Sequence, residues 1–247
     1  MEDRIRKFAE IIKNSKKIVF FGGAGVSTES GLKDYRSKDG IYHTCSKYGI
    51  PPEEILSIDF FYDNPETFYE FYREYFISDV QPNKAHKAIA QLEKMGKKVT
   101  VVTQNVDGLH QKAGSTRVLE LHGSAEKYYC GMCGKEHGVD YVADETRPVP
   151  RCSKCGGIIR THVVLYGENL DQEVMEAAVR SIWDADTLII GGTSLTVYPA
   201  ASFIEYFRGD NLIVINREAT RSDSAADVVF HESIGEVMTA LLKELEG

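Results

Sequence analysis

The chain predicts an α/β fold: a Rossmann-like doubly wound parallel sheet with a smaller domain made of a helical module and a four-cysteine zinc-binding module. Three observations carry this. Short β-branched and aromatic runs recur along the chain with amphipathic helical patterns between them. The first of those runs leads straight into Gly22-Gly23-Ala24-Gly25. Two pairs, Cys130-x-x-Cys133 and Cys152-x-x-Cys155, interrupt the alternation directly after Leu121-His122-Gly123.

Residues 2–13 place Ile5, Phe8, Ile11 and Ile12 on one helical face. Ile18–Phe21 is apolar at every position, as a strand buried on both faces requires. The glycine turn follows, and Ser27, Thr28 and Ser30 are residues that cap a helix or loop start. Strand, glycine turn and helix start together predict a phosphate-binding turn. Lys98–Thr103, Arg117–Leu121, Thr187–Ile190 and Asn211–Ile215 read as further strands, with Asp227–Phe230 a weaker sixth. Helical patterns cover 85–95, 172–183 and 199–207, and a last one runs from Ile234 through Val237, Met238, Leu241 and Leu245.

Two stretches break the rhythm. Residues 37–81 are rich in Tyr and Phe and carry Pro51, Pro52 and Pro65, which predicts a helical module. Residues 124–162 hold the paired cysteines. The Rossmann-like, nucleotide-binding domain is therefore assigned to 1–36, 82–123 and 163–247, and the two excursions to one small domain. A cleft between them would lie beyond the carboxyl ends of the strands, where open α/β sheets bind ligands.

Cysteine spacing and tight glycine and proline turns (Gly131, Gly134, Pro148, Pro150, Gly156, Gly157) favour a structural zinc over disulfides or a redox pair. Four thiolates fill a tetrahedral ion and leave no position for a reactive water. His137 and His162 read as surface side chains nearby, and Cys45 as an incidental thiol. Composition excludes other classes. A net charge of −8 argues against a direct nucleic-acid binder, and no apolar run approaches the ~20 residues of a membrane span. No secretory signal is legible at Met1, so a cytoplasmic location is expected, and a monomer is compatible with the sequence.

The glycine turn reads Gly23-Ala24-Gly25-Val26-Ser27-Thr28, with Thr28 where a dinucleotide fingerprint has its third glycine. No acidic residue stands about 20 positions on, where 43–47 reads His-Thr-Cys-Ser-Lys. This favours a nucleotide or dinucleotide without the usual hydride-transfer geometry; a turn needed only for folding is the bland alternative. Polar residues cluster at the strand ends: Ser27, Asp34 and Arg36, then Gln104, Asn105 and Asp107, then His122, then Thr193 and Ser194, then Asn216. Singly, each has a structural explanation as a cap or strand-end partner. Together they converge on one edge of the sheet.

At these residues the chain resembles the sirtuin family, bacterial type. The resemblance rests on Gly23–Ser27 with Ser30–Arg36, on Thr103–His110, on Glu120–Gly123, on the cysteine pairs, on Tyr166–Glu168 and on Gly192–Pro199, all in the family's order. It spans about 18–237. It implies an NAD-dependent protein-lysine deacetylase whose acetyl-lysine oxygen attacks the nicotinamide ribose, giving an imidate to ADP-ribose and finally O-acetyl-ADP-ribose. It further implies that His122 is the general base, a role suited to imidazole, with Asn105 holding ribose and water and Asp107 the nicotinamide carboxamide. Gly23, Ala24, Gly25, Thr28, Tyr35, Arg36, Gln104, Val106, Thr193, Ser194, Asn216 and Arg217 would meet the rest of the NAD. Val164, Tyr166, Gly167, Glu168 and Asn169 would take an extended acetyl-lysine peptide as an added strand. One structural Zn²⁺ would sit on Cys130, Cys133, Cys152 and Cys155.

The chain departs from the family's Ile-Pro-Asp-Phe-Arg with Leu32-Lys33-Asp34-Tyr35-Arg36, has Gly22 where threonine is common, and has Leu165-Tyr166 where two aromatics are common. Sirtuins that remove succinyl groups carry Tyr-x-x-Arg in the helical module. The matching positions here are Tyr72 and Tyr75, so deacetylation is expected over desuccinylation. A zinc-ribbon binding module and an NAD sensor without turnover are the readings from other classes.

Overall fold

The computed structural model describes residues 1–34, 40–41 and 46–247. Among the described residues six strands form one parallel sheet, and three others a separate antiparallel sheet. In chain order they are β1 (Lys17–Gly22), β2 (Lys98–Thr103), β3 (Val118–Glu120), β4 (Tyr128–Cys130), β5 (Glu136–His137), β6 (Ile159–Thr161), β7 (Thr187–Gly191), β8 (Asn211–Ile215) and β9 (Val228–Phe230). The large sheet is ordered β3-β2-β1-β7-β8-β9 and the small one β5-β4-β6. All six strands expected from the sequence are present in the large sheet.

The apolar run of β1 is explained by burial on both faces. Ile18 and Phe20 point to a core that includes Phe8, Ile12, Ile89, Val237, Met238 and Leu241. These come from helices Glu2–Asn14, Lys84–Lys94 and Ile234–Glu246. Val19 and Phe21 point the other way, to Ala178 and Ile182 of helix Gln172–Trp183 and to Ala201 and Phe203. A period of two on the strand thus feeds two helical layers of period 3.6.

Two expected helices are corrected. Residues 200–206 form a 3-10 helix, where an α-helix over 199–207 was expected. Its Ser202 hydroxyl donates back to Pro199 O, offering the backbone a tighter local turn. No α-helix opens directly after the β1 glycine turn either: two 3-10 turns, Ala24–Val26 and Thr28–Ser30, stand there, and no Ser27 side-chain cap forms.

Helices Ile58–Asp63 and Pro65–Phe76 share a core with the small sheet. Phe61, Phe68, Phe71 and Tyr72 pack with Tyr128, Cys130, Cys152 and Ile159. Ring geometry supports that packing, with Phe61 edge-on to Phe68 at 4.9 Å and Phe68 stacked on Tyr72 at 5.6 Å. The Tyr72 hydroxyl meets Thr161 Oγ1 at 2.8 Å, and Tyr69 donates to Ile159 O, so one helix is pinned to β6 by two phenols.

Candidate functional site

Strand order reverses between β1 and β7, which makes their carboxyl ends the topological switch point. Gly25 N donates to Gly192 O at 2.8 Å across that point. A Cβ on Gly25 would stand 2.8 Å from the same oxygen, and Gly192 has φ +58°, so both positions need glycine. Beside this close approach lies a cleft of about 1440 Å³ between the sheet ends and the segment that follows β6. That exceeds the ~300–1,000 Å³ of a typical small-ligand pocket and suits a dinucleotide with a peptide segment.

The cleft collects most of the expected residues. The β1 loop supplies Ala24, Gly25 and Thr28; the ends of β2 and β3 supply Gln104, Asn105, Val106 and His122. The ends of β7 and β8 supply Thr193, Ser194, Asn216 and Arg217, and the segment after β6 supplies Val164, Tyr166, Gly167, Glu168 and Asn169. Gly23 lies behind the wall, against Thr193 and Gly192. Asp107 lines a smaller inner pocket of about 80 Å³ that shares Ala24, Gln104, Asn105 and Val106 with the cleft. Tyr35, Arg36 and Cys45 lie outside the described residues.

A buried hub organises the inner pocket. Ser27 Oγ donates to Asp107 Oδ2 at 2.7 Å and accepts from Asn105 Nδ2 at 3.1 Å. Asp107 Oδ1 accepts from Leu109 N at 2.9 Å, opening helix Leu109–Ala113. Asn83 and His86 close a capping box at the start of helix Lys84–Lys94, and Asn83 Nδ2 donates to Val26 O at 2.8 Å. The site's amide and carboxylate are thus held by the strand ends and by a helix start together.

His122 has its ring beside the β2 end. Nδ1 lies 2.9 Å from Gln104 O, and a carbonyl can only accept, so the proton is on Nδ1. Nε2 keeps its lone pair in the neutral ring. Burial pushes the imidazole below its ordinary range, against an opposing pull from the Gln104 carbonyl. The neutral form therefore dominates at pH 7, as a base needs. The backbone of the same residue accepts from Val164 N at 2.9 Å.

From there the segment after β6 is pinned along its length. Tyr166 N donates to Leu56 O and Ile58 N to Tyr166 O, both at 2.9 Å. Glu168 accepts from Leu165 N at 3.0 Å and from Arg160 Nη2 at 2.7 Å. Arg160 is mostly buried beside Phe61, Tyr62 and Tyr129, so this pair ties β6 to the cleft wall. Tyr72 is fully buried on Thr161 and turned from the cleft, whereas Tyr75 lines the inner pocket. Arg73 spends its guanidinium on the carbonyls of Val142, Arg147 and Pro148.

The four cysteines bring their sulfurs within 4.8 Å of one another. Cys130 and Cys155 are 3.4 Å apart and Cys133 and Cys152 3.7 Å. A tetrahedral Zn²⁺ with ~2.3 Å bonds needs S···S near ~3.8 Å, so the donor set and its size fit. His137, expected on the surface, is half-buried with its ring 4.8 Å from Tyr141; His162 is exposed.

Sequence reasoning missed Leu56, Phe76, Gly192 and Glu29 as parts of the cleft. Leu56 and Phe76 belong to the helical module, and nothing local marks them as reaching the sheet. It placed Ser27 at the edge without seeing that it joins Asn105 to Asp107.

A parallel sheet with its ligand cleft at the switch point, and a four-cysteine module beside it, defines a nucleotide-binding α/β protein with a small subdomain whose cysteines can bind a structural zinc. The chain belongs to the Sir2 family, whose profile matches residues 23–199. It is 50% identical over 241 residues to the NAD-dependent protein deacetylase of Clostridium acetobutylicum, covering 97% of this chain and 98% of that one. It is 52% identical to the protein of the same name from Clostridium perfringens, covering 96% and 98%. A solved Sir2 structure with p53 peptide and NAD+ superposes with TM-score 0.86 at 36% identity, over 97% of this chain and 98% of that one.

Proposed function

We propose that this chain is an NAD-dependent protein-lysine deacetylase. The observation that carries the proposal is His122: a neutral imidazole, oriented through Nδ1, in a cleft whose wall segment after β6 is bonded to the His122 carbonyl through Val164 N. The curated relatives carry that activity in their names, and the glycine cradle at the switch point fits a pyrophosphate.

In this proposal the acetyl-lysine oxygen attacks the ribose carbon as nicotinamide leaves, linking peptide and ADP-ribose as an imidate. His122 Nε2 then takes the proton of a ribose hydroxyl, whose oxygen attacks the imidate carbon. The carbon–nitrogen bond breaks, the lysine amine leaves with a proton, and water adds to that carbon, so that the acetyl group stays on ADP-ribose as its ester. Asn105 holds ribose and water, and Asp107 the nicotinamide carboxamide; Ser27 keeps the two in register. Ala24, Gly25, Thr28 and the Tyr35-Arg36 pair serve the pyrophosphate and nicotinamide side, with Gly23 behind them, and Thr193, Ser194, Asn216 and Arg217 the adenosine side. Substrate peptide lies along Val164–Asn169. A Zn²⁺ on the four cysteines would supply no chemistry and would hold the 124–162 module together, while the shared apolar core joins it to the 37–81 module as one small domain beside the 1–36, 82–123 and 163–247 domain. No described helix is long and apolar enough to cross a membrane, and the proposed setting is the cytoplasm.

The test is incubation with NAD and an acetyl-lysine peptide. Nicotinamide release that requires peptide, with O-acetyl-ADP-ribose formed, is expected. Release without peptide would mean a glycohydrolase, and tight NAD binding with no release a sensor; either overturns the proposal.

A further inference from the structure

We infer that Glu29 is a positioning residue that latches the glycine loop to the C-terminal helix and so holds Gly25 and Thr28 for the cofactor. This rests on the NAD reading above. Residues 23–31 leave β1 as two 3-10 turns, without a helix to anchor them. Their fastenings are spaced along the loop. Gly25 N is held by Gly192 O at 2.8 Å, and Thr28 Oγ1 donates to Gly25 O at 3.0 Å. Asn83 Nδ2 donates to Val26 O at 2.8 Å. The far end depends on Glu29, whose Oε1 accepts from Ser233 Oγ at 2.6 Å and from Gly235 N at 3.1 Å.

Both donors stand at the start of helix Ile234–Glu246. Its first N–H groups have no acceptor within the helix and carry partial positive charge, so a carboxylate is their favourable partner. That match also offsets an anion placed on the wall of a cleft meant for a pyrophosphate. Glu29, Glu232 and Ile234 all line the cleft, which makes the start of this helix part of the site although its sequence carries no motif. The contact is tight: a Cβ on Gly235 would overlap Glu29 Oε2. Glycine is a poor helix former, and φ at Gly235 is outside the left-handed region, so the room it leaves for Glu29 is the reason for it.

The latch can be opened from either side. We would measure the NAD dependence of peptide-driven nicotinamide release for wild type, Glu29→Ala, Glu29→Gln and Gly235→Ala, with Tm for each. Both alanine variants are expected to raise KM for NAD about tenfold with kcat within about twofold, the scale of one charge-assisted hydrogen bond. Glu29→Gln keeps an oxygen acceptor and should restore most of the affinity. Gly235→Ala improves helix propensity and displaces only the end of a flexible side chain, so its Tm should hold or rise while KM rises. Unchanged KM in both alanine variants, a loss confined to kcat, or Glu29→Gln as poor as Glu29→Ala would each overturn the latch. If wild type releases no nicotinamide, the NAD reading falls and the latch with it; that failure shows in the unmutated enzyme.

Discussion

His122 shows how much one side chain's function depends on its second nitrogen. The Gln104 carbonyl settles which nitrogen holds the proton, and burial keeps the ring neutral. His122→Ala should keep the fold and NAD binding and lose deacetylation by ~10²-fold or more, the usual scale for a general base. Retained turnover in that variant would reassign the base. The lowered affinity of this ring for a proton places the acid limb of kcat/KM below pH ~6.5, and a limb above that value would contradict the burial. His122, Asn105 and Asp107 were legible because they stand at strand ends within a motif. Ser27's bridging role was not, since the two side chains it joins lie 78 and 80 positions away.

At the scale of elements, helix Lys84–Lys94 and helix Leu109–Ala113 bring two buried histidines together. His86 and His110 pack edge to face at 4.7 Å, and neither nitrogen of His110 has a partner among the described residues. Burial pushes both rings well below the ordinary histidine range. Both are therefore neutral when folded, while the unfolded chain binds protons below pH ~6.5. Their contribution is full above that pH and is lost as pH falls toward the folded values. Tm should drop between pH 7 and 5, and His110→Phe should drop less; equal slopes would exclude His110 as a source. The four-cysteine module makes a second claim. Chelating the metal should abolish turnover, while far-UV circular dichroism keeps most of the large sheet's signal, because the sheet's cores share no residue with the small one. Full activity after verified metal loss would deny the module its structural role. The Cys-x-x-Cys pairs were readable because metal spacing is local. The 3-10 helix at 200–206 was not, because residue composition does not separate it from an α-helix.

For the whole molecule, the acyl choice follows from how the small subdomain is turned. Tyr72 is spent on Thr161 and Arg73 on the carbonyls of Val142 and Arg147, which leaves the helical module with no described arginine to meet an acyl carboxylate. On matched peptides deacetylation should outrun desuccinylation by an order of magnitude or more, the scale set by leaving a buried carboxylate unpaired. Faster desuccinylation would assign Lys33 or an undescribed side chain to that carboxylate.

Local periodicity and spacing were enough to read the six strands, the glycine turn, the polar residues at the strand ends and the metal donors from the chain, while the family resemblance supplied the remaining candidate site residues. They were not enough to show that Gly25 meets Gly192, that Ser27 joins Asn105 to Asp107, or that Glu29 reaches the helix at 234. Those contacts pair residues far apart in the chain. Only the folding of the sheet and its helices brings them within hydrogen-bond distance, and no local pattern encodes that meeting.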